Sequence, residues 1–110
     1  MYPLTVQDAM ILHLNKFSGR RLSEYSMPFE VTQDGIAAAL GITRAHASIE
    51  LKKLSEKDHV GYITAHTPKS TRKRRTYYLE PQGKSVVPEI NERIMMTMII
   101  QADEEMTLEE

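Results

Sequence analysis

Cysteine and tryptophan are both absent from this sequence. Without thiols there is no disulfide, no thiolate nucleophile and no thiolate-bound zinc, a composition suited to a reducing compartment. Long apolar runs are missing too, and the N-terminus MYPLTVQDAM lacks the basic and apolar regions of a secretory leader. A soluble, cytoplasmic protein that crosses no membrane is expected. Aromatic residues make up 6% of the chain, and only Tyr62, Tyr77 and Tyr78 fall near one another. They are expected to pack a hairpin onto the core, which leaves no stacking platform for single-stranded nucleic acid. No glycine-rich phosphate loop follows a strand, and no nucleophile has an evident base and orienter, so neither an enzyme nor a cofactor is expected. His13, His46, His59 and His66 lie on different predicted elements without ligand spacing, which argues against a metal.

What is present suffices for one compact domain with an appendage: 110 residues, 41% of them hydrophobic. The net charge of −1 hides a strong segregation. Residues 101–110 hold five acids (Asp103, Glu104, Glu105, Glu109, Glu110) and no Lys or Arg, so residues 1–100 carry 14 basic against 10 acidic side chains, a net of +4. Lys69, Arg72, Lys73, Arg74 and Arg75 share one seven-residue window. Five cations this close repel one another unless an anion lies beside them.

The stretch Thr32 to Leu54, TQDGIAAALGITRAHASIELKKL, organises the rest. Ile36, Ala37 and Leu40 recur at helical spacing, Gly41 follows where a helix stops, and Thr43 supplies an oxygen to cap the next. Ala37 is small where two helices cross, Gly41 takes the positive φ of a tight turn, and Ile42 anchors that turn. The second helix places Ala47, Leu51 and Leu54 on one face; Arg44, Ala45, His46, Ser48, Ile49 and Lys52 lie mostly on the others. This is a helix-turn-helix.

From Phe29 to Val87 the order of elements, with the Gly41-Ile42-Thr43-Arg44 turn, the Leu51 to Leu54 stripe and the hairpin beyond, resembles winged helix-turn-helix regulators of the MarR type. The resemblance implies DNA binding by a homodimer, with the second helix in the major groove and repression by occlusion of polymerase. Two adjacent positions depart from that pattern: Glu50 stands where an apolar residue is usual and Ile49 where a polar or basic one is. Glu50 is expected to pair with Lys53 or Lys57, and Ile49 to touch a thymine methyl or a partner protein. The Arg44 fork matches guanine O6 and N7 but suits a phosphate equally, and His46 is the second candidate for base contact, its alternatives being a phosphate contact or a plain solvent-facing side chain. Thr43, Ser48 and Lys52 suit phosphates. Lys69, Arg72, Lys73, Arg74 and Arg75 suit phosphate or the narrow minor groove.

Elsewhere, Thr5 and Asp8 have capping-box spacing ahead of a helix from about Val6 to Lys16. Phe29-Glu30-Val31 reads as a short strand able to join the hairpin. The recognition helix should exit at Asp58-His59. Val60 to Thr67 and Thr76 to Glu80 read as antiparallel strands, with residues 68–75 as their tip. A helix is expected from near Gly83 to about Met106, with Pro88 either in its first turn or dividing it. Its apolar residues surround most of its circumference. Ile90, Ile94, Met95, Met98, Ile99 and Ala102 are therefore assigned to a dimer face, the competing reading being an adaptable pocket for a small-molecule inducer.

The fold expected is α+β, mostly α: a winged helix-turn-helix over residues 1–87 (helix-turn-helix 32–57, two- or three-stranded wing 60–80), then a dimerisation helix with an acidic tail over 88–110. The function expected is a repressor that binds duplex DNA. The alternative is a winged-helix protein-protein interaction module, the N-terminal part of a longer protein, using Ile49 and the last helix to hold a partner.

Overall fold

A computed structural model describes residues 4–109 of the chain, with side chains described through residue 104. Residues 1–3 and the tail side chains Glu105, Glu109 and Glu110 lie outside the described part. Helix α1 spans Val6–Asn15 and begins with a complete capping box: the Asp8 N–H donates to Thr5 Oγ1 at 3.1 Å and the Thr5 N–H to Asp8 Oδ2 at 3.2 Å. Its Met10, Ile11 and Leu14 are buried. His13 is buried beside them, with Nε2 2.7 Å from the Glu30 carbonyl and its ring against the edge of Phe17, a packing role.

The expected strand at Phe29-Glu30-Val31 is instead a 3-10 turn. The Phe29 carbonyl accepts from the Thr32 N–H at 2.9 Å and from the Thr32 hydroxyl at 2.6 Å, which tightens the backbone. Phe29 and Glu30 are exposed while Val31 and Thr32 are buried, so burial does not alternate as along a half-buried strand, and three residues are too few for the sequence pattern to separate the two conformations. The expected third strand shrinks to a single antiparallel bridge, Thr32 with Thr76.

Helices α2 (Gln33–Leu40) and α3 (Arg44–Glu56) form the helix-turn-helix. Thr32 caps α2 by accepting from the Gly35 N–H at 3.0 Å, and Thr43 caps α3 by accepting from the His46 N–H at 3.1 Å. Gly41 takes φ +68° between them, a conformation an L side chain resists. At the exit of α3, Asp58 adopts φ 58° and the His59 N–H returns to the Leu54 carbonyl at 3.0 Å. That is the left-handed cap expected there without a glycine.

Strands β1 (Val60–Ala65) and β2 (Arg74–Leu79) pair antiparallel, Val60 with Leu79 through Ala65 with Arg74. Arg74 and Arg75 thus belong to the strand and not to its tip. His66 and Thr67, expected in β1, leave β2. The His66 N–H donates to the Glu24 carbonyl and the Met27 N–H to the His66 carbonyl, both at 2.9 Å, so the loop before the 3-10 turn clasps the top of the hairpin. Helix α4 (Pro81–Ser85) starts with Pro81 and is followed by α5 (Val87–Glu109). Pro88 sits in the first turn of α5, just past a break at Val86 that divides the expected single helix.

One core joins these elements. Met10, Leu14, Val31, Ile36, Leu51, Leu54 and Ile90 are each at most 1% exposed. Ile90, assigned to a partner face from the sequence, is therefore enclosed by this chain's own side chains. Ile94 packs half-buried against the same core. Beyond it α5 leaves the body with Met95, Met96, Met98, Ile99 and Ile100 exposed.

Candidate nucleic-acid interface

Helix α3 buries Ala47, Leu51 and Leu54 and turns a ridge of Ala45, Ile49 and Lys53 outward. At roughly 100° per residue, the positions flanking that ridge fall on two different sides. Arg44, Ser48 and Lys52 take the flank toward the hairpin; Ser48 and Lys52 line a groove there with Tyr62, Arg75 and Tyr77. His46 takes the other flank, in a cleft with Gln7, Asp8 and Arg93. The residues proposed for contact from sequence are thus divided by the helix. The Thr43 oxygen is engaged as the cap, and its O–H remains exposed at the helix start.

Glu50 explains its own departure from the expected pattern. Its side chain is 14% exposed and turned toward α1, where the Gln7 amide donates to Oε2 at 2.8 Å. Lys53 Nζ lies 3.4 Å from Oε1, as one of the expected pairs requires. Lys57 instead donates to Gln7 Oε1 at 2.9 Å. The Gln7 amide, and after it the Lys53 ammonium, hold the Glu50 carboxyl below its usual range. Sequence inspection missed Gln7 because it lies 43 residues from its partner.

The wing tip is ordered by Ser70. Its N–H donates to the Thr67 carbonyl at 3.2 Å and its hydroxyl to the Arg72 carbonyl at 3.0 Å, while Lys69 adopts φ 64°. The five cations are not equivalent. Lys73 approaches Glu24 at 3.9 Å, Arg74 bonds Asp34 at 3.1 Å, and Arg75 lies 4.4 Å over the ring of Tyr62. Tyr62 is exposed beneath that guanidinium; of the hairpin tyrosines only Tyr77 is fully buried. Lys69 and Arg72 have no ion-pair partner among the described residues. The wing therefore presents two unpaired cations above three anchored ones.

A cleft of about 730 Å³ separates the wing tip from the helix-turn-helix, lined by Thr32, Gln33, Asp34 and Arg44 on one wall and residues 69–75 on the other. Arg44 is 74% exposed at its mouth, with Nε 3.1 Å from Asp34 Oδ1. The Gln33 amide donates to the Arg44 carbonyl at 3.2 Å. Neither Gln33 nor Asp34 was legible as a site residue from sequence, since each acts across the turn. Among the described residues no three His, Asp or Glu side chains gather as a metal site, and no helix is long and apolar enough to cross a membrane.

Neither a family model nor a curated protein matches the sequence. Solved structures do match its shape. A point mutant of S. aureus MepR superposes with a TM-score of 0.64 at 21% identity over 96% of this chain and 73% of that one. A MarR family transcription regulator gives a TM-score of 0.66 at 21% identity over 90% of this chain, which spans 56% of that regulator's length. S. aureus MepR in complex with DNA gives 0.59 at 22% identity, covering 96% of this chain and 71% of that one. The chain has the winged-helix fold of MarR-type regulators.

Proposed function

We propose that this chain is a transcriptional regulator that binds duplex DNA as a homodimer and acts as a repressor. The observation that carries the proposal is the cleft between α3 and the wing. It brings Arg44, on the first turn of the recognition helix, and a tip bearing Lys69 and Arg72 onto one face of the molecule. An α-helix fits the major groove, and cations on a hairpin beside it fit the phosphates or the adjacent minor groove. The MepR complex with DNA shares this fold, which supports the same docking here. Ala45, Ile49 and Lys53 form the ridge that would enter deepest; Arg44, Ser48 and Lys52 would face the wing-side strand, and His46 the opposite one. Two copies joined through α5 would address two half-sites about one helical turn apart.

The test is binding of the purified chain to random-sequence duplex DNA over a range of salt concentrations, with mass in solution measured alongside. A dimer whose log affinity falls against log salt with a slope of about −4 or steeper is expected, reflecting several released counterions. Replacing Arg72, Lys73, Arg74 and Arg75 by Ala should weaken binding on every sequence and flatten that slope. An unchanged slope removes the wing from the interface.

A second reading is favoured by one observation: Ile49, at the centre of the outward ridge, is 55% exposed and apolar. It suits a protein partner as well as a thymine methyl. Weak binding with little salt dependence would select this interaction-module reading over the first.

A further inference from the structure

We infer that Asp34 is a positioning residue that makes Arg44 a reader of guanine instead of a holder of phosphate, and that sets the spacing between this reader and the wing. The inference rests on the DNA-binding reading above. Asp34 is the one carboxylate lining a cleft whose other charged side chains are the cations Arg44, Lys69, Arg72, Lys73, Arg74 and Arg75. An acid there opposes the attraction of any nucleic acid. Its contribution must lie in something other than affinity.

The geometry supplies it. Each carboxylate oxygen holds one arginine: Oδ1 lies 3.1 Å from Arg44 Nε, and Oδ2 lies 3.1 Å from Arg74 Nη1. A guanidinium carries five N–H donors in a rigid planar fork. With Asp34 ion-paired at the Nε edge of the Arg44 guanidinium, the two terminal nitrogens are left as a pair, the edge that matches guanine O6 and N7. A phosphate bears a full negative charge and is repelled by the carboxylate behind that guanidinium. The guanine edge is neutral overall and feels much less of it. Gln33, next to Asp34 on α2, donates to the Arg44 carbonyl, so backbone and side chain are held together. Arg74 is paired within the hairpin opposite Ala65. The same carboxylate therefore ties the first turn of α3 to the strand end from which the wing tip projects.

The experiment compares the wild-type chain with Asp34→Asn, first on a random-sequence duplex across salt, then by enrichment from a randomised duplex library. Wild type should enrich a guanine in each half-site. Asp34→Asn should bind random duplex several-fold more tightly, with a salt slope steeper by about 0.9 as Arg44 turns to phosphate. Its preference for that guanine should fall roughly tenfold or more, the scale of one bidentate contact. Arg44→Lys keeps the charge but not the fork, and should lose the guanine preference while retaining the wild-type slope. This second variant can overturn the inference even if Asp34→Asn does not fold, since a guanine preference that survives it means that Arg44 is not the reader. Unchanged guanine preference in either variant overturns the inference while duplex binding stands. A wild-type chain that binds no duplex overturns both readings together.

Discussion

At the scale of single residues, Gly35 sits hard against the backbone of the 3-10 turn. A Cβ on Gly35 would overlap the Phe29 carbonyl oxygen and crowd the Glu30 backbone. Gly35→Ala improves the helix propensity of α2 by about 1 kcal/mol, yet it should destabilise the protein by about 1–3 kcal/mol, because backbone atoms cannot step aside as a side chain can. Urea unfolding measures the difference, and an unaltered midpoint would mean that the Phe29 turn yields. The same residue shows what the sequence discloses and what it withholds. Thr5, Thr32, Gly41, Thr43 and Asp58 were legible because caps and turns are local chemistry, settled within a few residues. Gly35 was not, for its neighbour belongs to a turn read as a strand. Asp34 was hidden for a related reason: its partners lie 10 and 40 residues away, and no periodicity encodes an ion pair across a cleft.

At the scale of elements, α1 connects the helix that would read DNA to the helix that leaves the body. Gln7 donates to Glu50 of α3, and its neighbour Asp8 lies 3.1 Å from Arg93 of α5. Burial pushes the Asp8 carboxyl up, but the Arg93 guanidinium and the Thr5 donors outweigh it, and the group sits below its ordinary value of 3.8. A carboxyl whose folded pKa is depressed adds stability that is present above the unfolded value and is lost as pH falls through the folded one. Asp8→Asn should therefore lower stability near neutral pH by on the order of 1 kcal/mol, since Arg93 is 40% exposed and water screens the pair. Thermal melts taken well below pH 3.8 should show wild type and variant converging; a gap that persists in acid would mean that the loss does not come from the ionised carboxyl. The helices and the hairpin were visible in their periodicity, and so was the basic cluster. Their ends were not: β1 stops at Ala65 because His66 exchanges its backbone bonds to the Glu24 to Met27 loop, a pairing between segments that have no pattern of their own.

At the scale of the whole molecule, the radius of gyration is 16.5 Å and the longest dimension 60 Å against 25 and 23 Å. A compact chain of this length would have a radius near 13 Å. The excess comes from α5, whose 23 residues make a rod of about 34 Å. Its first turns, through Ile90 and Ile94, close the core; its later turns carry Met95, Met98 and Ile99 at 61%, 52% and 47% exposure. Among the described residues nothing covers this apolar row on an arm held clear of the body, and a second copy would offer the same row in return. Met98→Glu combined with Ile99→Glu should leave the folded body intact, because neither side chain enters its core, while converting a dimer to a 12.6 kDa monomer. Two linked half-site contacts would then become independent ones, and affinity for a two-half-site duplex should fall by about 10² or more, while each single half-site is bound as before. Light scattering reads the first outcome and a duplex titration the second. If the doubly charged variant stays dimeric, the face lies elsewhere and α5 must meet a different partner; if it becomes monomeric yet binds the paired site undiminished, the copies read DNA singly.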